Sequence, residues 1–206
     1  MNLIIAITIG YALGNIMTAY ILGRLKGIDI REEGTKNVGA SNAVVVMGWP
    51  YGVITWAVDI LKAAIAVWIV QSIMPDMRDL QVIAGFSAVI GHLYPVILKF
   101  RGGKGASSIF GMMLGVNWKV AIIMAVTLIL ITLITDYIAL GTIAMFSIVL
   151  IYFIFWGYGF GPITIASVFL ALVIYKHRGN IDRILKGEEL GLRATRKINK
   201  DRAKNK

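Results

Sequence analysis

The chain contains no cysteine and only two histidines among its 206 residues. The first absence excludes disulfide bonds, thiolate metal ligands and a cysteine nucleophile. With His92 and His177 alone, there are too few imidazoles to build an ordinary zinc site, so no metal and no cofactor are expected. Charge is scarce as well. Asp, Glu, Lys and Arg make up 16% of the sequence against 58% hydrophobic residues, with a mean hydropathy of +0.77. Soluble domains carry about a quarter charged residues, so this composition excludes a water-soluble globular fold and puts the chain in lipid. Acidic residues are the scarcer sign, 11 against 21 basic, for a formal net charge of +10.

What is present is a series of apolar runs. Crossing a hydrocarbon core of roughly 30 Å takes about 20 helical residues. Seven runs between charge clusters are candidates: residues 3–22, 52–73, 80–98, 105–116, 120–135, 137–155 and 162–175. The fourth is the shortest and is rich in Gly and Met. Lipid-facing backbone must satisfy its own hydrogen bonds, so all seven are expected as α-helices. Basic residues sort into alternate connections. Arg24, Lys26, Arg31 and Lys36 follow the first run, Lys99, Arg101 and Lys104 follow the third, and eleven basic residues lie from Lys176 onward. The opposite connections carry Arg78, beside Asp76 and Asp79, and Lys119. The positive-inside rule then puts the N-terminus outside and the C-terminus in the cytoplasm, and seven crossings have that parity.

The sequence therefore reads as an all-α polytopic membrane protein, with residues 1–182 a seven-helix membrane domain and residues 183–206 a basic cytoplasmic tail. From Lys176 on, eleven basic and four acidic residues give +7 of the net charge. That excess is a topology signal and an attraction to anionic lipid of roughly 1 kcal/mol per basic residue; no nucleic-acid partner is expected. The first run lacks a basic flank and a small-residue cleavage site, so it is expected to stay as a span. No strong internal repeat is evident, and the inverted repeats of many transporters are missing.

Three polar runs fall on the basic side. Gly91-His92-Leu93-Tyr94-Pro95 is followed by Lys99-Phe100-Arg101-Gly102-Gly103-Lys104-Gly105. Three glycines let backbone N–H groups approach an anion and Lys104 adds charge, which suits a phosphate; a basic loop on lipid head groups is the other reading. The run Glu33-Gly34-Thr35-Lys36-Asn37-Val38-Gly39-Ala40-Ser41-Asn42 suits either phosphate binding or capping of the next helix. Lys176-His177-Arg178-Gly179-Asn180-Ile181-Asp182-Arg183 follows the last span. Inside the second span, Asp59 and Lys62 share a helix face three residues apart. They read as a structural ion pair, or as a contact to substrate.

Taken together, the three runs resemble the PlsY-type acyl-phosphate:glycerol-3-phosphate acyltransferases over nearly the whole chain. The family's first motif, G-S-G-N-x-G-A-T-N, is matched by Gly34 to Asn42. The G-H-x-Y-P and G-G-K-G of the second lie between Gly91 and Gly105, and the third is matched by His177, Arg178, Asn180, Ile181, Arg183, Gly187 and Glu189. The resemblance implies transfer of a fatty acyl group from acyl phosphate to the 1-hydroxyl of glycerol 3-phosphate. The products are lysophosphatidic acid and phosphate, made at the cytoplasmic face of a bacterial inner membrane.

It also implies catalytic roles for Lys104, His177 and Asn180. Substrate binding falls to these three with Thr35, Lys36, Asn37, Gly39, Ser41, Asn42, Gly102, Gly103, Gly105 and Thr142. Phosphate leaves readily, so no covalent enzyme intermediate is needed; the acceptor proton goes to His177 or to a substrate phosphate oxygen. Membrane lipid is the other partner, and the oligomeric state is open. The chain departs from the family at Val45, where an arginine is usual, at Lys36 for glycine, at Gly179 for glutamate and at Thr142 for serine. Valine cannot replace a bidentate guanidinium, so either Lys36 supplies the charge or acceptor affinity falls. A divergent paralogue with another phosphorylated acceptor and an organic-phosphate transporter remain as alternatives.

Overall fold

The structure is a computed structural model that describes residues 1–194, and among these the chain is helical with no strand. The helices are α1 (Asn2–Gly14), α2 (Thr18–Leu25), α3 (Ala40–Met47), α4 (Trp49–Ile73), α5 (Arg78–Leu93), a 3-10 turn (Val96–Leu98), α6 (Ala106–Val116), α7 (Trp118–Thr135), α8 (Ile138–Phe155), α9 (Phe160–Lys176) and α10 (Arg178–Leu185). Five stretches are long and apolar enough to cross a membrane: Asn2–Leu25, Trp49–Ile73, Arg78–Leu98, Trp118–Thr135 and Ile138–Phe155. A sixth is added if α9 and α10, bent by 50° at His177, count as one span. The expected fourth run is present as α6, but its 11 residues rise only about 16 Å. Against the seven expected runs, five or six meet the length of a crossing on their own.

The chain divides into two compact units: Met1–Ala121 with Tyr158–Pro162, and Ile122–Gly157 with Ile163 onward. In the first, α1 lies along α5 and α4 packs against α3, α5 and α6. Helices in lipid gain little from hydrophobic transfer and associate through close packing of small residues. Gly10 and Gly14 meet that need, since a Cβ on either would run into the Ala84 or Ala88 carbonyl of α5. Gly111 of α6 lies against the Ile60 carbonyl of α4 in the same way.

The first expected run is broken after Asn15, whose N–H still donates to the Tyr11 carbonyl at 3.0 Å while the Ile16 N–H turns to the Leu13 carbonyl at 3.1 Å. The Asn15 side-chain amide donates to the Tyr11 carbonyl at 2.7 Å and its Oδ1 accepts the Val96 N–H at 2.8 Å. Below the break, Met17, Ala19, Ile30, Val38, Ala43 and Leu98 form an apolar cluster. Ile30 and Ala43 thereby pin the two ends of the first polar run, and Val38 its middle.

In the second unit α8 turns back on α7 at Asp136, a non-glycine residue with φ +70°. Gly141 lies against the Leu128 carbonyl and the Thr132 side chain. Residues after α10 return to this turn: Leu192 N–H donates to the Asp136 carbonyl at 2.9 Å and Arg193 N–H to its Oδ1 at 3.0 Å. The expected boundary after residue 182 therefore falls inside α10, and residues through Arg193 are bonded into the unit. The rest of the expected tail, from residue 195, lies outside the described residues.

Candidate active site

The first polar run folds as a turn leading into α3, organised by Asn42. This side chain is buried; its Oδ1 accepts the Thr35 N–H at 2.8 Å, and its amide donates to the Ile30 and Glu33 carbonyls at 3.0 and 3.1 Å. Both amide hydrogens are spent, so Asn42 shapes the turn. Gly34 and Lys36 are left-handed, with φ +58° and +57°. Lysine tolerates that backbone at a cost of roughly 1 kcal/mol, which explains why glycine suits position 36 and what its replacement gives up for a charge. Ser41 and Val45 are one helical turn apart on α3 and both exposed, so the surface where an arginine is usual is open. Gly39 is the N-cap of α3 and no side chain caps it. The expectation of Asn or Ser capping is replaced by an uncapped N-terminus whose first N–H groups have no carbonyl in their own helix.

The second run reverses the chain after α5. Gly103 N–H donates to the His92 carbonyl at 3.0 Å and Gly102 N–H to the Leu93 carbonyl at 3.2 Å. These two amides were expected to face an anion; the structure gives them to the end of α5. The donors beside Lys104 are instead the first-turn N–H groups of α6, whose N-cap Gly105 has φ +86°. Positive helix N-termini suit anions, and Lys104, half-buried, directly precedes this one. Lys99 and Phe100 are consecutive left-handed residues, φ +52° and +61°, that make the reversal.

The third run begins where α9 ends. His177 is buried, and its Nδ1 lies 2.9 Å from the Val173 carbonyl. A carbonyl only accepts, so Nδ1 carries the proton and Nε2 is the nitrogen with the lone pair. Asn180 donates to Glu189 Oε1 at 2.6 Å and Arg183 to Glu189 Oε2 at 2.5 Å. Glu189 thus returns from beyond α10 to fix both side chains. Asp182 pairs with Lys186 at 2.9 Å on the exposed side. In α8, Thr142 is buried and its hydroxyl donates to the Ile138 carbonyl at 2.9 Å, leaving its oxygen to accept.

A family model described as glycerol-3-phosphate acyltransferase matches residues 4–187. The chain belongs to that family. Among glycerol-3-phosphate acyltransferases, it is 37% identical over 201 residues to acyltransferase 1 of Oceanobacillus iheyensis, covering 93% of this chain and 96% of that one. The enzyme of Clostridioides difficile is 38% identical over 191 residues, with 90% and 93% covered. Crystal structures of PlsY, an integral membrane glycerol 3-phosphate acyltransferase, are similar in fold. The glycerol 3-phosphate form gives a TM-score of 0.85 at 32% identity, with 93% of this chain and 96% of that chain covered. The lysophosphatidic acid form gives 0.83 at 31% identity, with 93% and 95% covered.

The residues expected to bind substrate occur in both units. Thr35 to Asn42 and Gly102 to Gly105 are in the first; Thr142, His177 and Asn180 are in the second. Sequence reasoning paired Asp59 with Lys62, and they are 2.8 Å apart. It missed that His92 joins them, with Nδ1 2.9 Å from Lys62 Nζ; helical spacing relates residues 59 and 62, but nothing local relates either to residue 92. It also missed Asp136 and Arg193, whose link spans 57 residues.

Proposed function

We propose that the protein transfers a fatty acyl group from acyl phosphate to the 1-hydroxyl of glycerol 3-phosphate. The hydroxyl oxygen bonds to the acyl carbon, the carbon–oxygen bond to phosphate breaks, and the hydroxyl proton ends on the released phosphate. The observation that carries this reading is the full-length likeness to PlsY solved with glycerol 3-phosphate and with lysophosphatidic acid. Lys104 and the first turn of α6 oppose negative charge on the phosphate and on the acyl oxygen, electrostatic help that needs no rearrangement during the reaction. His177 Nε2 accepts a hydrogen bond from the attacking hydroxyl and orients it, while Asn180, held by Glu189, and Thr142 act as further acceptor contacts. Thr35, Lys36 and Ser41 bind on the motif-one side, with Lys36 supplying charge that Val45 lacks.

The same reading has seven crossings, an outside N-terminus, and a site at the cytoplasmic face of a bacterial inner membrane. Its support is a parity argument. The Arg78 guanidinium sits 4.6 Å over the Tyr158 ring, so the α4–α5 and α8–α9 turns share a side. Between them run α5, α6, α7 and α8, and counting short α6 as a crossing makes their number even, in keeping with a shared side.

Purified protein in detergent, given palmitoyl phosphate and glycerol 3-phosphate, should release phosphate only when the acceptor is present. Acceptor-independent hydrolysis, or phosphate flux across liposomes without ester formation, would count against the reaction. The absence of native cysteine makes topology direct to test. A cysteine at Met77 should react with an impermeant maleimide on intact cells, and one at Thr35 should not.

A further inference from the structure

Asp59, Lys62 and His92 form a buried polar cluster that the reaction above does not use. They are 2%, 3% and 3% exposed. Lys62 Nζ donates to the Ile16 carbonyl at 2.7 Å, lies 2.9 Å from His92 Nδ1 and forms an ion pair with Asp59 Oδ1 at 2.8 Å. An ammonium only donates, so Nδ1 of His92 is the acceptor of that contact, while Asp59 holds the ammonium by charge with no hydrogen bond to its Oδ1. With Asp59 ionised and the imidazole neutral, the cluster carries no net charge, which lowers the cost of holding ions at membrane depth. Because Nδ1 accepts from Lys62, the ring proton sits on Nε2. That edge of the ring lies against Gly103, where a Cβ would run into Nε2.

The backbone joins the same two places, since the His92 carbonyl accepts the Gly103 N–H at 3.0 Å. His92 therefore grips Gly103 twice, and Gly103 is the residue before Lys104. Charge neutralisation in lipid would need only Asp59 and Lys62. It would not need an imidazole of fixed tautomer, nor a glycine beneath it.

We infer that Asp59, Lys62 and His92 are positioning residues, a neutral buried cluster that fixes the His92 ring and through it the Gly102–Gly103 backbone, so that Lys104 is aimed at the phosphate-bearing substrate. The inference rests on the proposed acyl transfer for its kinetic readout. Replacing both charges together, Asp59→Leu with Lys62→Met, leaves no uncompensated ion. The double variant in detergent should melt near the unmodified protein while its acceptor KM rises about tenfold or more. Unchanged kcat/KM in a folded double variant would overturn the inference.

A cycle of His92→Ala and Gly103→Ala gives a second reading. Gly103→Ala alone should lower kcat/KM by about a hundredfold, and in the His92→Ala background it should cost far less, because neighbouring sites couple. Strictly additive losses would overturn the inference. Should the variants not fold, 15N spectra of the histidine-labelled unmodified protein decide it: His92 should carry its proton on Nε2, and a proton on Nδ1 would overturn it. Failure of the unmodified protein to transfer acyl groups would count against the proposed reaction alone, because the tautomer is read without turnover.

Discussion

His92 takes a hydrogen bond at Nδ1 from Lys62, whereas His177 gives its Nδ1 proton to the Val173 carbonyl. Both rings are buried, so burial does not separate them; their partners do. Around His92 stand Lys62 and Asp59 of α4 and Gly103 of the loop before α6. Around His177 the Nδ1 bond lies within α9 and fixes the ring proton on that nitrogen. The pair teaches how one residue type serves two ends: a donor partner makes imidazole a brace, and an acceptor partner makes it a base-like acceptor of hydrogen bonds.

That contrast can be broken most severely at the lysine which the brace supports. Lys104→Ala should lower acyl transfer by about a thousandfold, the loss of a preorganised charge at a developing anion, with no matching fall in Tm. On the other histidine, His177→Asn keeps a donor for the Val173 carbonyl and removes Nε2. Its kcat should fall about a hundredfold at nearly constant Tm, whereas a loss of stability instead would make His177 a second brace. Glu189→Ala should cost about tenfold by releasing Asn180 and Arg183, with Glu189→Gln recovering part of it, because the amide oxygen still accepts.

Val45→Arg sharpens the comparison in the other direction by adding a contact. If Lys36 leaves acceptor charge unmet, the acceptor KM should fall by about fivefold; no change would mean that Lys36 already compensates. The smallest effect belongs to Asp29→Asn, an ion pair on the exposed loop that serves as a reference for the buried one. Hydrogen bonds from Arg31 hold the Asp29 carboxyl down from 3.8 to about 2. A lowered folded-state pKa means that its stabilisation is present above 3.8 and lost as pH falls through about 2. Melting curves of the two proteins should differ slightly at pH 6 and converge toward pH 2.

Much of the helical architecture was open to sequence reasoning because hydrocarbon forces it: apolar length gives helices. Boundaries moved where a side chain competes with the helix ladder, as Asn15 does. The three motifs were legible as motifs, yet the work done inside them was not. The Asn42 side chain is bonded inside its own turn and the Gly102 and Gly103 amides to the end of α5, since hydrogen-bond partners at a turn depend on backbone directions that spacing does not encode. Asp59 and Lys62 were readable from helical periodicity. Their tie to His92 was not, because it is made by the packing of α4 against α5.

One of Lys62's three partners is not a side chain at all. The Ile16 carbonyl is exposed by the interruption after α1, and any amino acid at that place would offer the same oxygen. Residue 16 can therefore drift through evolution while its contribution persists, so a substitution scan would pass over it in silence. Restoring the unbroken helical path would retract that oxygen, and a change in chain direction would do what no exchange of side chains could.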